Sequence, residues 1–515
     1  VLIDADDLED GRLLEADLAI IGGGPAGITI ARAMAGPRRR VCLIESGGLS
    51  PQADTQALYQ GENAGIAYPL AGSRLRYLGG TSGHWGGFCR PLDPIDFEVR
   101  DWVPHSGWPF GREALDPYYE AASEAVQVAP ARFEDADYWR EHTGEPLVDF
   151  PAGRISNRFF QYSPPTRFGD RYREELRTSP DLTLLLHANV TKIAALPSAS
   201  AVSHLEIRTL SGRRLQVRAP RYVLAAGGLE NPRILLLSND VMPAGLGNEN
   251  DVVGRFFMEH PHVSNFADLV VADLRRLPSI YRSRVNVEGR NAQVAYVPTP
   301  EVLRRERLLN ISFTTGVAGA YHSGDRAGLG PDDTQARSRL DMLEAARRFL
   351  ADGAGPVDAA DPTYAGVWLG IGCACEPVPN PDSRVTLAET TDALGQRQIR
   401  LDWRLTEQDR RSFVAHVRSL GRELAAAGVG RLRIKVADDG QWPESVIGGN
   451  HHMGTTRMSD DPQRGVVDRD CRVHGLDSLY VAGSSVFPTA GSANPTLNIL
   501  ALAYRLADHL KGLPA

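Results

Sequence analysis

Asp17-Leu-Ala-Ile-Ile21 runs into Gly22-Gly-Gly-Pro-Ala-Gly27 and on into Ile28-Thr-Ile-Ala-Arg-Ala-Met-Ala35, and this stretch decides the fold. The first run has the length and apolarity of a strand, the glycines break it, and the third run has the pattern of a helix. Arg38-Arg-Arg40 closes that helix as a solvated end, and Val41-Cys-Leu-Ile44 makes a second strand that stops at Glu45. A strand–turn–helix–strand unit of about 30 residues is the frame of a dinucleotide site in an α/β sheet. Within Gly22-x-Gly24-x-x-Gly27, Gly22 permits the turn out of the strand and Gly24 lets the backbone approach a pyrophosphate. Gly27 allows the helix to pack closely on the strand, and the helix N-terminus offers unpaired N–H groups to the phosphates. An acid at Glu45 accepts hydrogen bonds from a ribose and disfavours one carrying a 2′-phosphate. A glycine-rich turn in an unrelated α/β protein is the competing explanation, and strand, helix, second strand and acid all falling in place weigh against it. The motif by itself does not separate FAD from NAD.

At 515 residues the chain has room for about two to four domains. Its 42% hydrophobic and 23% charged residues exclude a disordered or collagen-like chain. A net charge of -8 disfavours nucleic acid and anionic membranes as partners. The five cysteines (Cys42, Cys89, Cys373, Cys375 and Cys471) are too few and scattered for a disulfide framework, and reduced thiols in a cytoplasmic protein are expected. Cys373-Ala-Cys375 lacks a second Cys/His pair at zinc spacing and is not a C-x-x-C motif, so core packing and no metal are expected there. No run approaches the roughly 20 apolar residues of a membrane span. Val1 to Glu15 is acidic and mixed, unlike a signal peptide, although a chain opening on valine leaves N-terminal trimming open.

Farther along, Leu78-Gly-Gly-Thr-Ser-Gly-His-Trp-Gly-Gly87 is a glycine-dense loop, and Asp116 to Ala125 has a helical pattern with Pro117 in its first turn. Leu182–Leu186, Val190–Ile193, His204–Ile207 and Arg221–Ala226 have strand patterns, and a helix begins at Asn231. From Val263 to Ala437 strands alternate, interrupted by a helical stretch from Arg337 to Asp352, and Leu497 to Asp508 forms a last helix. Residues 1–262, with loop and interdomain segments around 50–180, are expected to form a Rossmann-like nucleotide-binding domain. Residues 263–440 mainly form a second, substrate-binding domain on an antiparallel sheet, and 441–515 return to the first. The fold class is α/β, α+β overall.

Gly448-Gly-Asn-His451-His452-Met-Gly-Thr-Thr-Arg-Met458 and Val481-Ala-Gly-Ser-Ser-Val-Phe-Pro-Thr489, followed by Gly491-Ser-Ala-Asn494-Pro-Thr-Leu-Asn498, extend the pattern to the C-terminus. Together with the nucleotide motif, Gly79-Gly-Thr-Ser, Leu224 to Ser238, Val253-Gly-Arg-Phe-Phe-Met-Glu-His260 and Pro379-Asn-Pro-Asp-Ser-Arg-Val385, this series resembles the glucose–methanol–choline (GMC) oxidoreductases in the family's order. The resemblance implies bound FAD and a catalytic histidine in a His-x-x-Gly-Thr motif, which falls on His451, with His452 one place out of register. The family's second catalytic side chain falls on Asn494. It also implies cofactor contacts from Gly22, Gly24, Pro25, Ala26, Gly27, Glu45 and Ser46, from Gly79, Gly80, Thr81, Gly83, His84, Trp85, Gly86 and Gly87, and from Val190, Ala226 and Gly227. Further contacts are implied from Gly483, Ser484, Asn494, Pro495 and Thr496. Removal of hydride from an alcohol requires the O–H proton to leave, which a neutral imidazole accepts, while an amide only orients the oxygen. No catalytic role is assigned to His260 or His262.

The loop Gly79 to Trp85 is similar to the flavin loop of pyranose 2-oxidase, in which the histidine matching His84 is bonded to the flavin. Non-covalent FAD is expected, with a covalent link through His84 as the alternative. Gly483 and Ala493 to Leu497 are likewise similar to that sugar-oxidising branch. The expected activity is oxidation of a secondary hydroxyl of a sugar or glycoside, at C2 or C3, by hydride transfer to flavin N5. A non-sugar alcohol, a non-redox cyanohydrin lyase that retains FAD, and a binding module that has lost it are the alternatives. Oxygen, a quinone or a cytochrome would reoxidise the flavin, and a homo-oligomer is possible.

Overall fold

Leu18–Ile21 and Val41–Ile44 are buried at every position, as a parallel strand covered on both faces must be. They lie in the middle of a six-stranded parallel sheet ordered Leu2–Asp4, Leu182–Leu186, Val41–Ile44, Leu18–Ile21, Tyr222–Leu224, Leu479–Val481. The computed structural model describes residues 1–514 apart from 38, 265, 272, 318–366 and 437–439. The expected helical stretch 337–352 and Arg38 therefore lie outside the described residues.

The helix after the glycine turn spans Pro25–Met34, with Pro25 in its first turn. Arg39 and Arg40 do not close it: Ala35 is already extended at φ -65° and ψ 135°, and Gly36-Pro37 carries the chain away. Proline cannot continue a helix and pushes the residue before it out of the helical region. Arg40 instead donates its backbone N–H to Asp17 at 2.7 Å, beside the start of the first central strand. The C-terminal helix, Thr496–Gly512, packs against Pro25–Met34, with Leu497, Leu500 and Ala501 in one core with Ile28, Ile30 and Ala31.

The second large sheet is antiparallel along Arg431–Ile434, Ala267–Val271, Val367–Cys375, Ile311–Val317, Arg290–Pro298, Ile155–Tyr162 and Phe88–Cys89. The chain thus joins a parallel nucleotide-type sheet to an antiparallel one, the α/β class expected. Strand alternation between Val263 and Ala437 does not predict the helix Glu407–Ala426 that covers this sheet. Its buried face mixes Ser412, His416, Ser419 and Glu423 with Phe413, Val417, Leu420 and Leu424, so the apolar period is blurred. The capping box of Thr406 and Asp409 was the legible signal.

One short strand matters most for the site. Pro261–Val263 pairs antiparallel with Val367–Cys375 on one side and with Val446–Gly448 on the other. An isolated antiparallel bridge between Met258 and Met453 follows, offset by two residues from that register. Glu259 and His260 are thereby laid against residues 449–452. No described helix is long and apolar enough to cross a membrane.

Candidate active site

Between the two sheets lies a cavity of about 1200 Å³. That exceeds the roughly 300–1,000 Å³ of a site for one small ligand, and so leaves room for a dinucleotide and a second molecule. Gly22, Gly24, Pro25, Ala26, Glu45 and Ser46 line one end, and Gly80, Thr81, His84, Trp85, Gly86 and Gly87 line a flank. Val190, Ala226, Gly227, Gly483, Ser484, Pro495 and Thr496 complete the wall with His451 and Asn494.

Gly27, Gly79 and Gly83 do not line the cavity. They stand one layer behind it, where a side chain would collide with backbone or a ring. A Cβ at Gly27 would meet the Gly22 carbonyl oxygen at 1.9 Å, one at Gly79 the Gly169 nitrogen at 2.4 Å, and one at Gly83 the Tyr77 hydroxyl at 1.9 Å. At Gly24, Gly227 and Gly483, by contrast, a Cβ would have no neighbour within 4 Å. Because these three also line the cavity, a side chain there would occupy ligand space. Such a cradle, opening on the N-terminus of Pro25–Met34, suits a pyrophosphate. Glu45 is 5% exposed and held by the backbone N–H groups of Gly23 at 2.9 Å and Gly47 at 2.8 Å. Oε1 also accepts from the Ser46 hydroxyl at 3.2 Å, and Oε2 keeps a second lone pair for a ribose hydroxyl.

At the other end, His451 Nε2 lies 3.1 Å from Asn494 Nδ2, although 43 residues separate them. Asn494 reaches this place from the turn that opens Thr496–Gly512. The His451 backbone N–H donates to both Glu259 carboxylate oxygens at 2.9 Å, and Gly449 N–H adds a third bond at 3.0 Å. His451 Nδ1 faces His260 Nδ1 at 2.9 Å, and the His262 ring centroid is 5.5 Å from that of His451. Burial, then the neighbouring His260, His262 and His452, holds His451 well below the ordinary histidine range. The ring is therefore neutral at neutral pH and able to accept a proton.

His452 faces the cavity too, and its Nε2 contacts the Tyr68 hydroxyl at 2.8 Å. Tyr68 also donates to Glu259. Burial pushes Glu259 up to about 7 against the pull of these bonds, and pushes His452 down to about 3. The residues that sequence reading missed here are Tyr68, Glu259, His260 and His262. Three titratable side chains within Glu259-His260-Pro261-His262 were a visible signal, but the strand pairing that turns them toward His451 was not.

His84 caps the 3₁₀ turn Gly80–Gly83 and is lowered by burial and then by Arg167. Cys373 and Cys375 are buried free thiols with sulfurs 3.8 Å apart. Among the described residues no group of three or more His, Cys, Asp or Glu side chains could hold a metal ion.

Residues 379–503 match the GMC oxidoreductase family in its C-terminal domain. The chain is 24% identical over 573 residues to the 2-methyl-1,2-propanediol dehydrogenase of Mycolicibacterium austroafricanum, covering 96% of this chain and 95% of that protein. It is 34% identical over 337 residues to the C-glycoside 3-oxidase of Arthrobacter globiformis, covering 64% of this chain and 54% of that protein. Formate oxidase of Aspergillus oryzae shares the fold at a TM-score of 0.57 and 17% identity, covering 98% of this chain and 99% of that chain.

Proposed function

We propose that this chain, which belongs to the GMC oxidoreductase family and is an FAD-dependent enzyme acting on CH–OH donors, oxidises a secondary hydroxyl of a sugar or glycoside at C2 or C3. The observation that carries the reading is the His451–Asn494 pair at 3.1 Å on the wall of a cavity whose far end is a phosphate cradle. Likeness to a C-glycoside 3-oxidase supports a sugar hydroxyl over other alcohols.

The cavity fits the cofactor. Gly22 to Ala26 and Glu45 would hold its nucleotide part, with Gly227, Gly483 and Ser484 along the wall and His84 to Gly87 and Asn494 to Thr496 toward the reactive end. When bound, FAD supplies the acceptor for the hydride that leaves the carbinol carbon. The chain's own part is the proton. The substrate O–H bond breaks and its proton bonds to His451 Nε2, while Asn494 Nδ2–H holds the oxygen from the other side. His262 and Asn450 line the same end and offer further polar contacts to a polyhydroxylated ring.

An anaerobic screen tests the assignment by following loss of flavin absorbance with free sugars, O- and C-glycosides and simple alcohols. Pyranosides with free secondary hydroxyls are expected to bleach the flavin. Bleaching by non-sugar alcohols alone would overturn the sugar assignment in favour of a diol or primary alcohol, and no bleaching by any alcohol would favour the lyase. Acid precipitation tests the link at His84: the flavin is expected to leave with the supernatant, and a washed pellet that stays yellow would mean a covalent bond.

A further inference from the structure

His260 is 0% exposed and lies where it cannot meet a substrate, yet it touches both segments that carry the proposed reaction. Its Nε2 is 2.9 Å from the Gly491 carbonyl oxygen, three residues before Asn494, and its Nδ1 is 2.9 Å from His451 Nδ1. The carbonyl can only accept, so His260 Nε2 carries a hydrogen. Burial holds His260 down to about 4, so the ring is neutral with one hydrogen and its Nδ1 is bare. The single hydrogen between the two rings therefore belongs to His451 Nδ1. His451 is neutral as well, so its Nε2 is bare and the atom facing it at 3.1 Å is the donating amide nitrogen of Asn494. A backbone carbonyl thus settles, by elimination, the position of every hydrogen along the line from Gly491 to Asn494.

We propose that His260 is a positioning residue that fixes the tautomer of His451, keeping Nε2 unprotonated so that it takes the substrate proton once Asn494 Nδ2–H turns to the substrate oxygen. The inference rests on His451 acting as the base. Once Nε2 is protonated, the His451 imidazolium keeps its Nδ1–H on the bare His260 nitrogen, and that bond becomes charge-assisted and stronger. The opposite tautomer would present an N–H to the substrate hydroxyl and block the transfer. The other titratable groups facing the pair are His262, His452, Glu259 at the His451 backbone, and Glu376 toward His260.

The test uses the FAD-loaded enzyme and rapid anaerobic reduction by whichever substrate bleaches it. His260→Leu removes the acceptor, and the limiting reduction rate is expected to fall about tenfold or more with little change in KM. Its acid limb is also expected to move relative to the unsubstituted enzyme. His260→Asn restores an acceptor for His451 Nδ1–H and is expected to recover most of the rate and the original pH profile. Nitrogen-15 spectra of histidine-labelled holoenzyme read the tautomer directly, with the His451 signals identified by their loss in His451→Ala. A protonated Nδ1 and bare Nε2 are expected, whether or not His260→Leu keeps its flavin. Equal rates for the Leu and Asn variants, an unchanged pH profile in both, or a protonated Nε2 in the unsubstituted enzyme would overturn the proposal. If His451→Ala itself reduces at the normal rate, the base assignment fails instead.

Discussion

Replacing His451 by alanine is expected to slow anaerobic flavin reduction by about 10² or more while FAD stays bound, because a positioned general base contributes roughly 10²–10⁴. The side chain stands at the end of the cavity away from the phosphate cradle, so its loss leaves the nucleotide contacts intact. Its backbone N–H, on the two Glu259 oxygens at 2.9 Å, is unaffected by truncation, so the loop should hold its place. In the unsubstituted enzyme the base form persists to unusually low pH. The ring is held well below the usual histidine range by burial and then by three neighbouring histidines. The acid limb of reduction should accordingly fall below about 6.5, the ordinary histidine value. Visible spectra before and after substrate addition report both cofactor retention and rate, and near-normal reduction in His451→Ala would refute the assignment. Replacement of Asn494 should be milder, since an amide orients the oxygen without taking its proton.

The second large effect concerns stability. Arg100 and Glu376 form a bidentate pair at 2.8 and 2.5 Å with both side chains 0% exposed. Glu376 also accepts the Asn310 backbone N–H at 2.8 Å, and the Asn310 amide reaches Asp96 at 2.9 Å. Asp96 is pushed up to about 8 by burial and then by Glu376 and Asp93, so it stands protonated beside the intact pair at neutral pH. Thr489 ties the same segment to the chain that leads to Asn494, through the Asp96 carbonyl at 2.5 Å and the Trp108 indole at 2.9 Å. Glu376→Ala would leave the buried guanidinium charged and without its hydrogen-bonded counter-ion. Breaking a buried pair in this way costs about 3–5 kcal/mol. The urea midpoint followed by tryptophan fluorescence should fall markedly. The double variant Arg100→Met with Glu376→Leu should recover much of the loss, because an apolar pair avoids the desolvation cost altogether. A midpoint for Glu376→Ala indistinguishable from the unsubstituted protein would contradict this account.

Local chemistry explains which parts were legible. The turn at Gly22 to Gly27 is dictated by residues adjacent in sequence, since strand, turn and helix close on one another within a single unit. His451 and Asn494 were nameable because each sits in a compact motif. The helix Glu407–Ala426 was obscured by serines and a histidine on its buried face. Gly79 and Gly83 looked like cavity glycines because composition cannot tell a residue that faces a ligand from one that lets two backbones touch.

Residue order along the chain was enough to suggest a dinucleotide cradle with an acid at its ribose end, and, through the family resemblance, a histidine to take a proton and an amide to orient the oxygen. Their meeting was decided in three dimensions, by the pairing of Pro261–Val263 with Val446–Gly448 and by the turn ahead of the last helix. Such pairing depends on backbone hydrogen bonds between segments nearly 200 residues apart, which carry no mark in either segment alone. That is why His260, quoted in a family segment but given no role from sequence, emerges only when the chain is folded, as the residue between His451 and the Gly491 carbonyl ahead of Asn494.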